Sequence, residues 1–554
     1  MSFEPDMSRS DRPRPRGRGW LAVLLAILAL AVYANNLRGP FILDDVAWVM
    51  FNQNIRALRP WWQPLAHTSR PVVQWSLAAN YAMGDLHPLG YHVVNDVLHA
   101  MTALALFGVV RRTLRTERLA PRFGQAADGL GFAAALLWAL HPLDTESVTY
   151  VVQRAECMVG LFAMLTLYCV IRGATARRAN AWNLLAVGFC ALGMGSKPVA
   201  VIVPLLVLAY DWTFLAGTWS ELWRNRWRLY VGLAVCWLLA ALFLYTGGSE
   251  WIGSAGLVYG GRAISWLDYA ALEPGVILHY LRLSLWPDHL CLLYARPLPP
   301  EGPLFWLQCA VIGVLLIATV YLLVRKSGAG FLGAWFVLAL APTSSVIPLL
   351  NPEVEHRMYM PLMAVMVGIV IAGRAAADRI ARSNQAGGWL SVAALVLATL
   401  GLGATTIRRN QDYRTEVSIW LDTVQKAPTN PDARYGLGLA WATAGGIDNA
   451  GAAFAEAMRL QPDFKQVQYD WGVVLIRSGR EAEALDHFTA ALRIDPRFGK
   501  AEDGIGFVLY RQGKLAEAIP HFFEATRLNP NDIQAQYNLS RAVYEERRQS
   551  MIQN

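Results

Sequence analysis

Apolar stretches separated by short polar segments fill the first four hundred residues of the chain. A helix of about 20 mainly apolar residues crosses a bilayer, so this pattern predicts a polytopic, all-α membrane domain over residues 20–407. The predicted spans, about eleven, are residues 20–34, 93–110, 129–140, 157–171, 182–195, 199–210, 229–245, 304–324, 331–349, 358–373 and 389–405.

The distribution of arginine predicts the orientation of these spans. Basic clusters such as Arg111-Arg112 and Arg325-Lys326 follow alternate spans, and the positive-inside rule places them in the cytoplasm. The alternation requires that residues 266–290, which include Glu273 and Pro274, form an interfacial or re-entrant helix that does not cross. We therefore expect the amino terminus inside, and the carboxyl terminus outside.

The amino-terminal 19 residues carry five arginines among Pro and Ser, which predicts a disordered cytoplasmic tail. A basic tail before a short apolar run that ends in Val32-Tyr33-Ala34 also fits a secretory signal peptide. In both cases residues 37–90 lie outside the cytoplasm.

The pattern changes at residue 408, after which the chain is polar, rich in alanine and helical in its periodicity. Prolines recur at a spacing of 34 residues, at positions 428, 462, 496 and 530. Small and aromatic residues keep the same spacing in columns, namely Gly438/Gly472/Gly506, Ala450/Ala484/Ala518, Phe454/Phe488/Phe522 and Ala457/Ala491/Ala525. This period is typical of tetratricopeptide repeats, so residues 408–554 are predicted to form an α-solenoid with a concave groove.

Composition supports the membrane assignment. Hydrophobic residues make up 55% of the 554 positions, and charged residues only 16%. The net charge of +8 does not indicate nucleic-acid binding, because the arginines cluster in short loops between apolar stretches.

Polar residues next to the predicted spans supply the candidate chemistry. Two adjacent carboxylates, Asp44 and Asp45, follow the first span at the outer boundary, where an unpaired acid is costly. Further polar residues fall on the same predicted side: His92, Asn95, His99, His141, Glu146, Arg154, Glu156, Lys197, Glu355 and Arg357. Their convergence on one face indicates a shared water-filled cavity.

Each of these residues also has a structural interpretation. The acidic pair fits a solvated loop with a helix-capping Asp, and a single histidine often makes only core hydrogen bonds. Arg154 and Lys197 fit ion pairs with acids as well as contacts to a lipid phosphate. No set of ligands with zinc spacing stands out, so no metal is predicted, although a divalent ion stays possible.

The order of the motifs resembles the transmembrane and tetratricopeptide-repeat O-mannosyltransferases, in a bacterial-type form. The resemblance rests on Asp44-Asp45, Tyr-His-xx-Asn-xxx-His at 91–99, His-Pro-xxx-Glu-Ser-Val at 141–148, Arg154-Ala155-Glu156, Ser196-Lys197, Tyr210-Asp211-Trp212, Glu-x-Arg-x-Tyr-x-Pro at 355–361 and the repeats. One position departs from the family pattern, because Pro198 stands where an acidic residue usually follows the lysine.

The resemblance implies a type C glycosyltransferase fold and a multi-pass enzyme of the bacterial inner membrane. Such an enzyme moves a sugar, usually mannose, from a polyprenyl phosphate to protein Ser or Thr on the periplasmic side. The acceptor hydroxyl needs a base, for which Asp45 is preferred with Asp44 in support. The remaining outer polar residues become candidates for the lipid phosphate and the sugar, with Arg154, Lys197 and Arg357 on the phosphate.

The repeats are expected to present the acceptor protein, with Arg434, Tyr435, Tyr469 and Asp503 in the groove. Two other functions remain open on the sequence. One is a related transferase or ligase that acts on lipid or polysaccharide. The other is a non-catalytic membrane scaffold whose repeats recruit partners.

Overall fold

The computed structural model describes residues 19–553, apart from 61, 63–64, 66–67, 248–257, 260–261, 264, 295–301, 350 and 381–383. The predicted amino-terminal tail lies almost wholly outside the described residues. The described chain is helical, as predicted, with one short antiparallel hairpin of β1 (Val258–Tyr259) and β2 (Arg262–Ala263).

The membrane part contains fifteen described helices. They are α1 (Gly19–Tyr33), α2 (Pro71–Gly84), α3 (Pro88–Thr113), α4 (Ala120–Phe123), α5 (Ala127–Ala139), α6 (Thr145–Thr149), α7 (Arg154–Thr175), α8 (Ala179–Met194), α9 (Val203–Phe214), α10 (Trp219–Thr246), α11 (Trp266–Leu285), α12 (Pro303–Val324), α13 (Gly328–Leu340), α14 (Tyr359–Ile380) and α15 (Asn384–Asp412). Short 3-10 segments precede several of them, including Pro142–Asp144, Pro198–Ile202 and Glu355–Met358.

Eleven described apolar segments overlap the predicted spans, about eleven in number, although the segment at the predicted span 331–349 ends at Leu340. Seven are long and apolar enough to cross a membrane: Gly19–Asn36, Pro88–Thr113, Val151–Thr175, Trp219–Thr246, Pro303–Val324, Glu355–Ile380 and Ala386–Asp412. Four shorter apolar helices are Ala127–Ala139, Ala179–Met194, Pro198–Phe214 and Gly328–Leu340. The chain is therefore a multi-pass membrane protein. Helix α11 is outside this set; it contains Pro274 and buries Glu273.

The core of the membrane part forms where α3 packs against α5 and α7, with α14 against α5. Trp138 lies at its centre, fully buried, and its indole N–H donates to the Tyr359 carbonyl at 3.0 Å. By contrast, none of the described side chains of α12 is buried. An apolar helix without a buried side chain fits contact with lipid tails.

The solenoid begins with α16 (Glu416–Lys426), which Thr415 caps through a reciprocal bond pair with Ser418. The repeat helices follow as α17 (Pro431–Thr443), α18 (Ile447–Leu460), α19 (Lys465–Arg477), α20 (Glu481–Ile494), α21 (Gly499–Arg511), α22 (Leu515–Leu528) and the closing α23 (Ile533–Gln553). They are the three predicted helix pairs with flanking helices.

Glycine columns let the paired helices approach closely. A Cβ placed on Gly438, Gly472 or Gly506 would meet the ring of Phe454, Phe488 or Phe522 at 2.5, 2.6 or 2.8 Å. Such distances are closer than van der Waals contact, so these positions accept only glycine without rearrangement. The sequence columns thus record a packing constraint that repeats along the solenoid.

The solenoid packs directly on the membrane part. Helix α15 runs through the predicted boundary at residue 408 and ends at Asp412. In the next helix, Asp422 accepts from Arg409 at 2.6 Å and from Lys426, whose ammonium also reaches the Leu290 carbonyl at 2.6 Å. An apolar cluster seals the same junction, formed by Ile42, Tyr150, Val152, Leu292, Tyr413 and Ile419.

The glycine columns give a stability prediction. Gly472→Ala should destabilise the solenoid by about 1–3 kcal/mol, because overpacking against Phe488 exceeds the gain in helix propensity. Thermal unfolding followed by intrinsic fluorescence measures this effect. In the control, Gly472→Ala combined with Phe488→Leu should recover part of the loss, and additive losses would contradict the packing explanation.

Candidate active site

Asp45 is fully buried in the loop that follows α1. Its carboxylate accepts from the Val152 N–H at 2.7 Å and from the Ile42 N–H at 3.2 Å. Burial raises the pKa of Asp45 to about 8, despite these two backbone donors. Asp45 therefore ties the loop to the segment that precedes α7, and its side chain has no open path to a substrate.

Asp44 differs from its neighbour in exposure. Leu43 adopts a positive φ of 52°, and the next residue, Asp44, is exposed. Its backbone N–H donates to the Tyr150 hydroxyl at 2.7 Å, which fixes its position. The Asp44 side chain lines a cavity, whereas that of Asp45 does not.

This cavity, of about 350 Å³, lies between the membrane part and the solenoid. Its membrane-side wall consists of Leu43, Asp44, Glu146, Tyr150, Gln153, Leu292, Leu293, Asn351, Val354 and His356. Its solenoid wall consists of Trp420, Asp432, Tyr435, Gly436 and Leu439. We call it the junction cavity. Both domains are needed to form it.

A buried acid and a histidine form the floor of the junction cavity. Glu146 is only 3% exposed, and it accepts from the His356 N–H at 2.9 Å and contacts the His356 Nδ1 at 2.8 Å. Burial disfavours the Glu146 carboxylate, but the imidazole and backbone N–H of His356 outweigh it and lower the pKa of Glu146. Glu146 is therefore held ionised beside the imidazole.

Glu355 lies next to this pair but points another way. It is fully buried, accepts from the Tyr294 hydroxyl at 2.9 Å, and lies 3.6 Å from the Arg409 guanidinium. Arg409 is also the partner of Asp422 in the solenoid. Glu355 thus belongs to the ion-pair network that holds the two domains together.

A second group of charged side chains, mostly cationic, lies near the start of the 3-10 segment Pro198–Ile202. Lys197 pairs with Glu156 at 2.5 Å. Burial lowers the pKa of Lys197, Glu156 opposes that shift, and the nearby charges of Arg70 and Arg357 add to it. Arg357 donates to the carbonyls of Asn351 and Pro352, so one segment, residues 351–357, serves both this cation cluster and the junction cavity.

Five predicted substrate-binding residues lie in the protein interior instead. Arg154 is fully buried and donates to the Asn95 side chain at 2.7 Å and to the Tyr91 carbonyl. The others also make interior hydrogen bonds: His92 with Gly39, Asn95 with Val148 and Val151, His99 with Tyr359 and Ala139, and His141 with Ser284 and Leu143. These contacts hold the ends of α3 and α7 against neighbouring segments. None of the five residues lines the junction cavity.

The four predicted groove residues separate in the same way. Tyr435 lines the junction cavity and donates to Asp470 on the next repeat. Asp503 accepts from Asn538 at 2.9 Å, and Tyr469 packs its ring against Phe488 and Phe498. Arg434, although half-buried, lies close enough to Glu456 to help Arg459 lower the pKa of that carboxyl.

Tyr435 is the predicted residue of the solenoid wall, and other lining residues carry no sequence signal. Trp420 and Asp432 in the solenoid wall, and Tyr150 in the membrane-side wall, belong to no motif. Trp420 lies in the half-repeat before the first proline column, where periodicity is weakest. Only the docking of the two domains brings these residues to Asp44.

The repeat region matches a tetratricopeptide repeat model over residues 443–497. A Caenorhabditis elegans protein O-mannosyl-transferase is 22% identical over 490 residues, which is 83% of this chain and 65% of the relative. Protein O-mannosyl-transferase TMTC2 of Mus musculus is 35% identical over 205 residues, 33% of this chain and 23% of the relative. The chain is a homologue of these O-mannosyl-transferases.

Neither alignment covers two thirds of the relative's own length. Among solved structures, ArnT from Cupriavidus metallidurans, in a crystal structure bound to undecaprenyl phosphate, overlaps 87% of this chain and 81% of its own. The identity is 16% and the TM-score is 0.39, too low to support a conclusion about this chain.

The two adjacent acids should respond differently to substitution. Asp45→Asn keeps the shape but can accept only one of the two backbone N–H groups, which should cost about 1 kcal/mol of stability. Asp44→Asn removes an exposed charge and should leave thermal stability unchanged. Thermal unfolding of both purified variants measures the difference, and equal losses at the two positions would contradict the assigned roles.

Proposed function

We propose that this protein is a membrane glycosyltransferase that moves a sugar, mannose, from a polyprenyl phosphate to Ser or Thr hydroxyls of a protein. The single observation that carries the proposal is the junction cavity, where the exposed Asp44 faces a wall built by the first repeat. The O-mannosyl-transferase homologues support the reaction class. The cavity supplies what such a transfer needs, a carboxylate beside a protein-binding surface.

In the proposed step, the Asp44 carboxylate takes the proton from the acceptor hydroxyl. The hydroxyl oxygen then bonds to the anomeric carbon, and the bond from that carbon to the phosphate oxygen breaks. The polyprenyl phosphate leaves with the electron pair, and because it is a stable anion it needs no strong acid. Asp45, with its raised pKa, acts through position alone by fixing the loop that carries Asp44.

The preference for Asp45 as the base, drawn from the sequence, is replaced in this proposal by Asp44. The physical reason is access to the substrate. Asp45 is buried and bound to two backbone N–H groups, whereas Asp44 lines the cavity. Glu146 and His356 form the floor and are candidates to orient the sugar through hydrogen bonds.

The lipid phosphate is assigned to the cation cluster of Lys197, Arg357 and Arg70. Glu156 faces Lys197, and the charge of Glu273 acts on Arg357. Lysine and arginine at a membrane boundary bind phosphate oxygens through charge-assisted hydrogen bonds. The segment 351–357 then links the phosphate to the reacting hydroxyl.

Substitution of the lysine tests the phosphate assignment. Lys197→Met should raise the KM for the lipid donor about tenfold, because one charge-assisted hydrogen bond is lost. The KM for the acceptor should change little. Initial rates at varied donor concentration measure this, with Lys500→Met, an exposed lysine on α21, as a matched lysine control. A donor KM equal to that of the unsubstituted protein would contradict the assignment.

The proposed topology places Asp44 and the repeats on the non-cytoplasmic side, the periplasm in a bacterium. It rests on the arginine distribution and on Lys326, which bonds the Ala216 and Gly217 carbonyls at the opposite end of the helices. Alkaline phosphatase fused after Thr415 should be active, and the same enzyme fused after Arg325 should be inactive. The reverse pattern would contradict both the topology and the transferase model.

A reconstituted transfer assay tests the function itself. The full-length purified protein, a synthetic polyprenyl-phosphate mannose and a Ser/Thr-containing peptide should yield a peptide heavier by one hexose, and Asp44→Asn should lose most of that product. Mannose transfer to a lipid or glycan, with no peptide product, would favour the related transferase or ligase. A protein that releases and transfers no sugar would favour the scaffold.

A further inference from the structure

The junction cavity has an uneven charge. Its described lining contains three carboxylates, Asp44, Glu146 and Asp432, and one histidine, but no lysine or arginine. Glu146 contacts His356 and feels the charge of Arg409, whereas Asp44 and Asp432 make no ion pair among the described residues. The cation cluster that suits a phosphate gathers around Lys197, whose side chain is not part of the cavity wall.

Asp432 is the acid that the solenoid brings to the cavity. It is half-buried at the start of α17, and burial raises the pKa of its carboxyl. Among the described residues, its carboxylate makes no ion pair or hydrogen bond. Glu416, the first residue of α16, accepts at 3.3 Å from the N–H of Leu43, which lines the cavity.

Two of the nearby basic residues already have other partners. Arg409 and Lys426 are both bound to Asp422, and Lys426 also reaches the Leu290 carbonyl. Arg434, two residues after Asp432, makes no ion pair among the described residues, and its charge acts on Glu456 of α18. Asp44 and Asp432 therefore have no cationic partner from this chain among the described residues.

Two aromatic residues add a second recognition element. Trp420 and Tyr435 line the solenoid wall beside Asp432. A ring face beside a carboxylate is a favourable environment for an ammonium or guanidinium group. Beyond the cavity, Asp470 on the next repeat bonds Tyr435 and Gln466, which continues the acidic character along the repeats.

We propose that the acceptor is a basic polypeptide segment, in which lysine or arginine next to the modified Ser or Thr binds Asp432, Trp420 and Tyr435. This inference rests on the proposed function, since it describes the acceptor of that reaction. The basic side chain compensates the unpaired charge of the cavity as the acceptor enters. An acidic segment is rejected because it brings like charges to Asp44 and Asp432.

Three peptides of one sequence, each with a single Ser/Thr acceptor site, test the proposal. The residues beside the acceptor are Lys in the first, Gln in the second and Glu in the third. With the full-length protein and a synthetic polyprenyl-phosphate mannose, kcat/KM should fall about tenfold from Lys to Gln, and further to Glu. Binding of the same fluorescent peptides, measured by anisotropy without donor, should follow that order.

Single substitutions identify the residue that causes the preference for the Lys peptide. Asp432→Asn should reduce the ratio between the Lys and Gln peptides to near one, and Asp432→Glu should retain most of it. Asp448→Asn, an exposed acid on α18, should leave the ratio unchanged. Matching thermal unfolding curves for the variants would show that all of them are folded.

The outcomes separate this inference from the proposed function. Equal transfer to all three peptides overturns the basic acceptor and leaves the transferase intact. A preference for Lys that persists in Asp432→Asn overturns the role of Asp432. Mannose transfer to a lipid or glycan with no peptide product overturns both.

Discussion

The rest of the site depends on the packing of α16 against the loops of the membrane part. Asp422 holds Arg409 and Lys426 at this junction, and buried Ile42, Tyr150 and Ile419 exclude water from it. Partly buried ion pairs of this kind fix geometry more than they add stability. The consequence is that Asp432 and Tyr435 become walls of a cavity instead of surface residues on a loosely tethered solenoid.

Burial divides the acidic pair into two different groups. Asp45 is buried and accepts two backbone N–H bonds, so its carboxyl fixes the conformation of the loop. A carboxyl that is exposed beside it, as Asp44 is, can exchange protons with a substrate.

The pKa of about 8 for Asp45 also has a consequence for stability. The pKa of Asp45 in the folded protein lies above its value in the unfolded chain. The contribution of Asp45 to the free energy of unfolding is therefore complete below about pH 4 and is lost as the pH rises through about 8.

The sequence predicts repeats and helices well. It predicts poorly which side chains from distant parts of the chain come into contact. The 34-residue columns predict the helix pairs because Gly472 and its equivalents must face a phenylalanine ring in every repeat. The apolar periodicity likewise predicts the membrane helices. By contrast, the choice between Asp44 and Asp45 depends on which side chain meets Val152, a contact across 107 positions. Nor can the sequence distinguish Arg154, a buried clamp on Asn95, from Lys197, because both are basic residues near span ends.

Glycopeptide mass spectrometry of cells is the most direct test of the transferase model. Cells that lack the protein would be compared with the same cells making either the natural sequence or Asp44→Asn at equal membrane levels. We expect hexose-bearing Ser or Thr sites on exported proteins only with the natural sequence. If Asp44→Asn restores the same glycopeptides, or if their set does not change when the protein is absent, the central claim is contradicted.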